Sequence, residues 1–220
     1  MRESKLKVKA IFFDLDGTIV DSRKAYQKAT KTALAKMGRQ KTIDAKSVIE
    51  IPRRLEQNLP IGDLIEGNDA SKFLKEYLKA YYESTAANAR PIRSISEVLE
   101  RLSHRAKLAL ITMRCVPKEK VIEELEKFGL ARYFQSVMTA FDTHSPKPSP
   151  EALLKCAAQL RIKIRKCAVV GDSVVDIRAG KNAGAKTVAV LSGIFSRQEL
   201  ERENPDLVLK SVKELPDCLE

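Results

Sequence analysis

A chain of 220 residues is long enough to fold as one α/β domain or as a core domain with a smaller inserted domain. Apolar residues make up 44% of the sequence and recur in periodic blocks, which argues against disorder, because disordered chains lack the apolar surface that offsets the entropy of ordering. The formal charge of +11 suits an anionic partner, but Lys and Arg are interleaved with Asp and Glu along the chain, which favours solvated helix faces over a nucleic-acid footprint.

The cysteines and the N-terminus bear on the compartment. Cys115, Cys156, Cys167 and Cys218 form no Cys-x-x-Cys pair, so neither a zinc site nor a thioredoxin-like motif is indicated, and reduced thiols suit a cytoplasmic protein. The apolar run at residues 10–13 is too short for the core of a signal peptide. No stretch approaches the roughly 18 apolar residues of a membrane span. We therefore expect a cytoplasmic protein that does not enter a membrane.

Short apolar runs with strand character alternate along the chain with amphipathic stretches of helical spacing. One such stretch, residues 118–128, has Val121 and Leu125 on its apolar face. This alternation predicts an α/β fold with a Rossmann-like parallel sheet and helices on both faces. The predicted strands are residues 8–13, 107–112, 135–139, 166–171, 186–191 and 206–209.

The alternation stops between about residues 22 and 89, where the segments are helical in pattern with no strand between them. Ala25, Ala29 and Ala33 lie four residues apart, as on one face of a helix. This block predicts a small helical cap domain inserted after the first strand, although an ordinary helical layer on the sheet is the alternative. The predicted domains are a catalytic core of residues 1–20 and 90–220 and a cap of residues 21–89.

The first predicted strand leads into the run Asp-Leu-Asp-Gly-Thr, from Asp14 to Thr18. Open α/β sheets bind ligands beyond the carboxyl ends of their strands, so Asp14 and Asp16 can point into one site there. Gly17 lets the backbone turn sharply after them. Neighbouring carboxylates repel unless a cation lies between them, and Mg²⁺ prefers carboxylate, water and phosphate oxygens. The run therefore predicts a magnesium site.

A second acidic pair, Asp172 and Asp176, follows the predicted strand 166–171 in the same position relative to the sheet. Both carboxylates are then expected at the start of a helix, near the crevice that receives Asp14. The two acidic pairs can meet at one cation. Helix N-capping is the local alternative for Asp172 and Asp176, because Asp is common in the first turn of a helix.

Two further polar residues follow strands at the same edge. Thr112 ends the predicted strand 107–112, where its hydroxyl can donate to a phosphoryl oxygen. Lys147 lies between two prolines, which stiffen the loop that presents it. Taken separately, Thr112 fits an ordinary strand residue and Lys147 an ordinary solvated lysine.

Together, in this order and at one sheet edge, these residues resemble the four motifs of the haloacid dehalogenase-like superfamily. The resemblance spans about residues 8 to 191. The run from Asp14 to Thr18 is the most specific of the matching motifs, and the run from Gly171 to Asp176 is the next most specific. The helical insertion is similar to the cap of the phosphoglycolate phosphatase-like branch.

The resemblance implies a role for each motif residue. Asp14 would attack phosphorus and become an aspartyl phosphate, and Asp16 would protonate the leaving alcohol and then activate water. Thr112 and Lys147 would hold the transferring phosphoryl oxygens. The implied ligands of Mg²⁺ are Asp14, the backbone carbonyl of Asp16, Asp172 and Asp176, the last of them through water or as a support.

The implied activity is hydrolysis of a small phosphorylated metabolite by a monomer or homodimer. Three residues are candidate substrate contacts. Met113 stands where relatives have a small polar residue, which leaves its backbone amide as the contact. Arg53 and Arg54 in the insertion suit an acidic substrate, although two solvated arginines are the simpler interpretation.

Other functions remain open on the same core. A sugar-phosphate mutase shares the core and cap, and a phosphonate-cleaving enzyme would need a cap lysine such as Lys46 or Lys72. A dehalogenase would not be expected to have an acid at Asp16. An anion-binding or nucleic-acid-binding protein is disfavoured, because aromatic residues make up only 5% of the sequence and leave little for base stacking.

Overall fold

The computed structural model describes residues 5–38, 45–65 and 69–220. The chain divides into two compact units, one of Met1–Ile19 with Pro91–Glu220 and the other of Val20–Arg90. The first unit contains the main sheet. The second falls on the segment for which the sequence predicts a helical insertion, and its role as a cap stays a prediction.

The described residues of both units form the following strands and α-helices. The strands are β1 (Ala10–Phe13), β2 (Val20–Asp21), β3 (Arg90–Pro91), β4 (Lys107–Ile111), β5 (Phe134–Met138), β6 (Cys167–Gly171), β7 (Lys186–Val190) and β8 (Leu207–Leu209). The helices are α1 (Arg23–Lys36), α2 (Ala45–Glu56), α3 (Ala70–Asn88), α4 (Ile95–Ser103), α5 (Lys118–Lys127), α6 (Glu151–Gln159), α7 (Val174–Ala183) and α8 (Arg197–Arg202). Among the described residues, no helix is both long and apolar enough to cross a membrane.

The main sheet has six strands in the order β5-β4-β1-β6-β7-β8, and all neighbouring pairs are parallel. Each of its strands overlaps one of the predicted strands, so the predicted parallel sheet is confirmed. The central strands β1 and β6 are buried along their whole length. A strand covered on both faces requires apolar side chains at every position, which explains the continuous apolar runs in the sequence.

The core of the first unit forms where α6 and α7 pack on one face of the sheet. Alternate residues of β1, such as Ala10 and Phe12, belong to one buried cluster with Leu153 and Cys156 of α6 and Ala179 of α7. The alternation follows from the pleat, since successive side chains of a strand point to opposite faces. This packing fixes the strand ends that carry the polar motifs.

The helical unit is built on α1 and α3. The small side chains of Ala25, Ala29 and Ala33 are buried on α1, and Tyr26 stacks on Tyr81 of α3 with ring centroids 5.4 Å apart. The predicted alanine face of α1 is therefore buried within this unit. Pro52 lies inside α2 and does not interrupt it.

Replacing Leu153 by Ala should lower the free energy of unfolding by about 3 kcal/mol, because it leaves a cavity in the core beneath α6. Leu153 is 1% exposed, whereas its neighbour Leu154 is 44% exposed and provides a matched control. Leu154→Ala should change the free energy of unfolding by less than about 0.5 kcal/mol. Urea unfolding followed by circular dichroism measures both variants. Equal losses would contradict the packing of α6 on the sheet.

Candidate active site

The predicted site residues follow three neighbouring strands. Asp14 comes directly after β1, Thr112 after β4 and Asp172 after β6. These strands are adjacent at the centre of the sheet, in the order β4-β1-β6. Adjacent parallel strands end at the same edge of a sheet. The side chains of Asp14, Thr112 and Asp172 therefore lie at one crevice.

Lys147 is the cation that the structure places against Asp14. Its side chain is 3% exposed, and its Nζ donates to Asp14 Oδ1 at 2.6 Å, to Asp176 Oδ1 at 2.5 Å and to the Ile111 carbonyl at 3.0 Å. Each of the three donors of the ammonium group therefore has an acceptor. Burial alone would lower the pKa of Lys147, but the carboxylates of Asp14 and Asp176 outweigh burial and raise it, so the side chain is a cation at neutral pH.

The environment of Asp14 is short of positive charge. Burial raises the pKa of Asp14 well above its ordinary value, and the Lys147 ammonium opposes this effect. The nearby carboxylates of Asp176, Asp172 and Asp16 raise the pKa further. A bound divalent cation would reverse this balance and favour the ionised carboxylate.

Three carboxylates form a group that suits a metal ion. Asp14, Asp172 and Asp176 each offer one oxygen, and the three oxygens lie within 4.8 Å of one another. All three residues are buried, and their donors are hard oxygens. Hard oxygen donors are the preferred ligands of Mg²⁺, so the donor set fits this ion.

Hydrogen bonds and close backbone neighbours hold Asp172 in place. The Thr18 hydroxyl donates to Oδ1 at 3.0 Å, and the Ile194 backbone N–H donates to Oδ2 at 3.4 Å. A Cβ atom on Gly17 or Gly193 would overlap the Asp172 carboxylate. The loop after β7 is thus part of the site, and the sequence motifs do not predict it.

Asp176 has a local role in addition to its contact with Lys147. Ser173 is the N-cap of α7, and Asp176 Oδ2 accepts from the Ser173 backbone N–H at 3.1 Å in a capping box. The capping alternative therefore applies to Asp176, which caps α7 with one oxygen and holds Lys147 with the other. Asp172 precedes the N-cap and takes no part in this capping box.

The side chain of Asp16 meets Arg114, a residue that the sequence motifs do not predict. Arg114 Nε donates to Asp16 Oδ2 at 2.8 Å and Nη2 donates to Oδ1 at 2.7 Å. Arg114 Nη1 also donates to Glu124 Oε2 at 2.6 Å. The sequence does contain one signal for this contact, because Glu124 is a charged residue beside Val121 and Leu125 on the buried face of α5.

Thr112 is buried at the end of β4. Its backbone N–H donates to the Met138 carbonyl at 3.0 Å, and its hydroxyl oxygen accepts from the Arg114 backbone N–H at 3.2 Å. The Lys147 ammonium donates to the carbonyl of Ile111, the residue before Thr112, so Lys147 reaches the same end of β4 as Thr112. Met113, the next residue, is half-buried.

The loop that carries Lys147 is fixed from two sides. The Glu151 carboxylate accepts from two backbone N–H groups of the loop at 3.1 and 2.9 Å. Its ion pair with Lys155, together with these bonds, lowers the pKa of Glu151 to about 2, so it is ionised at neutral pH. Asn182 of α7 donates to the Pro148 carbonyl at 3.0 Å. These contacts limit the positions that the lysine can adopt.

Arg53 and Arg54, the predicted substrate contacts, lie on α2 in the helical unit. Both donate to Glu50, at 3.1 and 3.2 Å. Arg54 also pairs with Asp63. These ion pairs give the arginines a structural role within their unit, and their contact with a substrate stays a prediction.

The chain is similar over nearly its whole length to known proteins. It is 29% identical to a phosphoglycolate phosphatase of Vibrio parahaemolyticus over 94% of each chain. It is 27% identical to the pyrophosphatase PpaX of Halalkalibacterium halodurans over 97% of this chain and 98% of that one. A solved structure of a haloacid dehalogenase-like family hydrolase from Streptococcus pneumoniae has a TM-score of 0.81 at 21% identity, over 95% of this chain and 97% of that one.

A family model supports the same relationship. The model for haloacid dehalogenase-like hydrolases matches residues 11–190, which include the ends of β1, β4 and β6. The predicted resemblance is thereby confirmed, and the chain belongs to the haloacid dehalogenase-like hydrolase family.

Proposed function

We propose that the protein is a Mg²⁺-dependent phosphatase that hydrolyses a small phosphomonoester through an aspartyl phosphate on Asp14. One observation carries the proposal: the buried Asp14 carboxylate bonds the Lys147 ammonium at 2.6 Å and also belongs to the three-carboxylate group. Asp14 therefore lies beside the Lys147 cation, which can attract the incoming phosphoryl group. It also lies beside the carboxylates that can bind a metal cation. Such a setting suits nucleophilic attack on a phosphate ester.

In the first displacement, an oxygen of Asp14 bonds to phosphorus as the bond between phosphorus and the alcohol oxygen breaks, and Asp16 gives a proton to that oxygen. In the second displacement, Asp16 takes a proton from water as the water oxygen bonds to phosphorus. Inorganic phosphate then leaves, and Asp14 regains its carboxylate. Lys147 and the Thr112 hydroxyl stabilise the charge on the phosphoryl oxygens.

Asp14, Asp172 and the backbone carbonyl of Asp16 would hold Mg²⁺. When bound, this ion supplies positive charge that offsets the charge of the phosphoryl oxygens. We assign to Asp176 the support of Lys147, because its two oxygens bond that lysine and the Ser173 backbone.

The relatives point to two substrate classes. Those most similar in sequence include a phosphoglycolate phosphatase and a pyrophosphatase. We propose a small phosphomonoester as the substrate and retain inorganic pyrophosphate as the second candidate. In this proposal the helical unit acts as the cap that selects the substrate, with Arg53, Arg54 and the Met113 backbone as contacts.

The phosphonate alternative depends on a cap lysine. Lys72 of α3 is exposed, and the side chain of Lys46 lies outside the described residues. A mutase would differ by returning the phosphoryl group to a sugar phosphate. Release of phosphate into water without a bisphosphate distinguishes a phosphatase from a mutase.

Purified protein should release phosphate from at least one member of a panel of phosphomonoesters and pyrophosphate, and only with Mg²⁺ present. Asp14→Asn should lower kcat by at least roughly 10³-fold, because it removes the nucleophile. The matched control is Asp217→Asn, since Asp217 is an exposed acid paired with Arg101. Phosphate release by an Asp14→Asn variant at the parental rate would overturn the proposal.

Magnesium should also raise the melting temperature in the absence of substrate, because it binds carboxylates that converge only in the folded state. A ligand at 100 times its Kd stabilises the folded state by about 2.7 kcal/mol. Asp172→Asn should diminish the rise, and Asp217→Asn should retain it. Thermal unfolding with and without millimolar Mg²⁺ measures the effect. The same rise in the parent and in Asp172→Asn would contradict the magnesium site.

A further inference from the structure

Arg114 connects two acidic residues that are far apart in the sequence. Its side chain is 4% exposed, and the side chains of Asp16 and Glu124 are 11% and 5% exposed. The guanidinium bonds both oxygens of Asp16, at 2.7 and 2.8 Å, and bonds Glu124 at 2.6 Å. Asp16 lies 98 residues before Arg114, so the contact depends on the tertiary fold.

The backbone of Arg114 is held at both sides. Its N–H donates to the Thr112 hydroxyl at 3.2 Å, and its carbonyl accepts from the Ala140 N–H at 3.1 Å. The Thr139 hydroxyl donates to the Val116 carbonyl at 2.7 Å, two residues further along the same loop. The ends of β4 and β5 therefore set the position from which the arginine side chain starts.

Glu124 fixes the other end of the side chain. It lies on the buried face of α5 beside Val121 and Leu125, where a charged group is costly unless it is paired. The Glu124 carboxylate accepts a hydrogen bond from Arg114 Nη1 at 2.6 Å. Glu124 thus holds the guanidinium in one orientation while the other edge of the guanidinium faces Asp16.

We propose that Arg114 is a positioning residue that sets the orientation of the Asp16 carboxylate, and that Glu124 orients Arg114. This inference rests on the proposed function, in which Asp16 transfers a proton to and from the reacting oxygens. Two parallel N–H···O bonds fix the plane of a carboxylate, which a single bond does not do. A planar guanidinium provides this geometry and an ammonium group does not, so lysine is not an equivalent replacement.

The orientation of Asp16 matters most when the leaving oxygen needs a proton. Phenolate is more basic than 4-nitrophenolate, so phenyl phosphate depends more on the general acid than 4-nitrophenyl phosphate does. The two esters otherwise have similar shapes. The value of kcat/KM covers substrate binding and the steps through the first displacement when that displacement is irreversible, and it excludes the second displacement. Because the two esters have similar shapes, comparing kcat/KM between them tests the action of Asp16 on the leaving group.

The test compares Arg114→Lys with the parent on these two esters. Arg114→Lys should lower kcat/KM for phenyl phosphate by roughly 10- to 100-fold and for 4-nitrophenyl phosphate by less than about threefold, because general acid catalysis contributes on the order of 10² to 10⁴. Glu124→Gln should lower it in the same direction by a smaller factor. In an Asp16→Asn background, Arg114→Lys should bring no further selectivity between the esters, since the two residues act as a unit.

Arg178→Lys is the matched control. Arg178 makes the same two-bond contact with Glu203, at 3.0 and 2.6 Å, but on the exposed surface. This variant should hydrolyse both esters like the parent. Melting temperatures of all variants separate lost positioning from lost folding, and Glu124→Gln carries the test if Arg114→Lys does not fold.

The inference would be overturned, with the proposed function left intact, by an equal loss of kcat/KM on both esters or by no loss on either. Added selectivity from Arg114→Lys in the Asp16→Asn background would also overturn it. If the parent releases phosphate from neither ester nor from any member of the panel, the proposed function fails and the inference fails with it.

Discussion

Negative charge buried at one edge of the sheet is the constraint on which the site depends. Asp14 and Asp16 follow β1, and Asp172 and Asp176 follow β6. The other three carboxylates raise the pKa of Asp14, because neighbouring like charges in a buried site repel one another. Lys147 bonds two of them and Arg114 bonds a third. The hydrogen bonds that Asp172 accepts from Thr18 and Ile194 come from neutral groups. The divalent cation of the proposal would lie among the carboxylates of Asp14 and Asp172, whose oxygens lie within 4.8 Å of each other.

The parallel sheet brings these charged residues to one edge. Its central order, β4-β1-β6, puts the ends of three strands side by side although they are far apart in the sequence. The strands are buried on both faces and held by apolar packing, so the polar residues that follow them start from fixed positions. Helix α7 contributes by presenting Asp176 from its first turn, where a capping box also stabilises the helix.

The helical unit is stabilised by contacts among its own residues. Its interior contains the buried alanines of α1 and the stacked rings of Tyr26 and Tyr81, and its arginines pair with acidic residues of the same unit. Selection of the substrate is assigned to this unit as a proposal. The relatives bear different substrate names within one family, which agrees with the general rule that a fold does not determine the substrate.

The sequence by itself determined the parallel sheet, the order of its strands along the chain and the acidic run from Asp14, because apolar periodicity and residues i and i+2 at a strand end are local features. The tertiary structure alone decided that Asp16 faces Arg114, a contact that spans 98 residues, and set the 2.6 Å hydrogen bond between Asp14 and Lys147, which lie 133 residues apart. It also decided the place of Gly193 against Asp172. Such contacts depend on how strands and loops from distant parts of the chain come together, and no local pattern of residues encodes that arrangement.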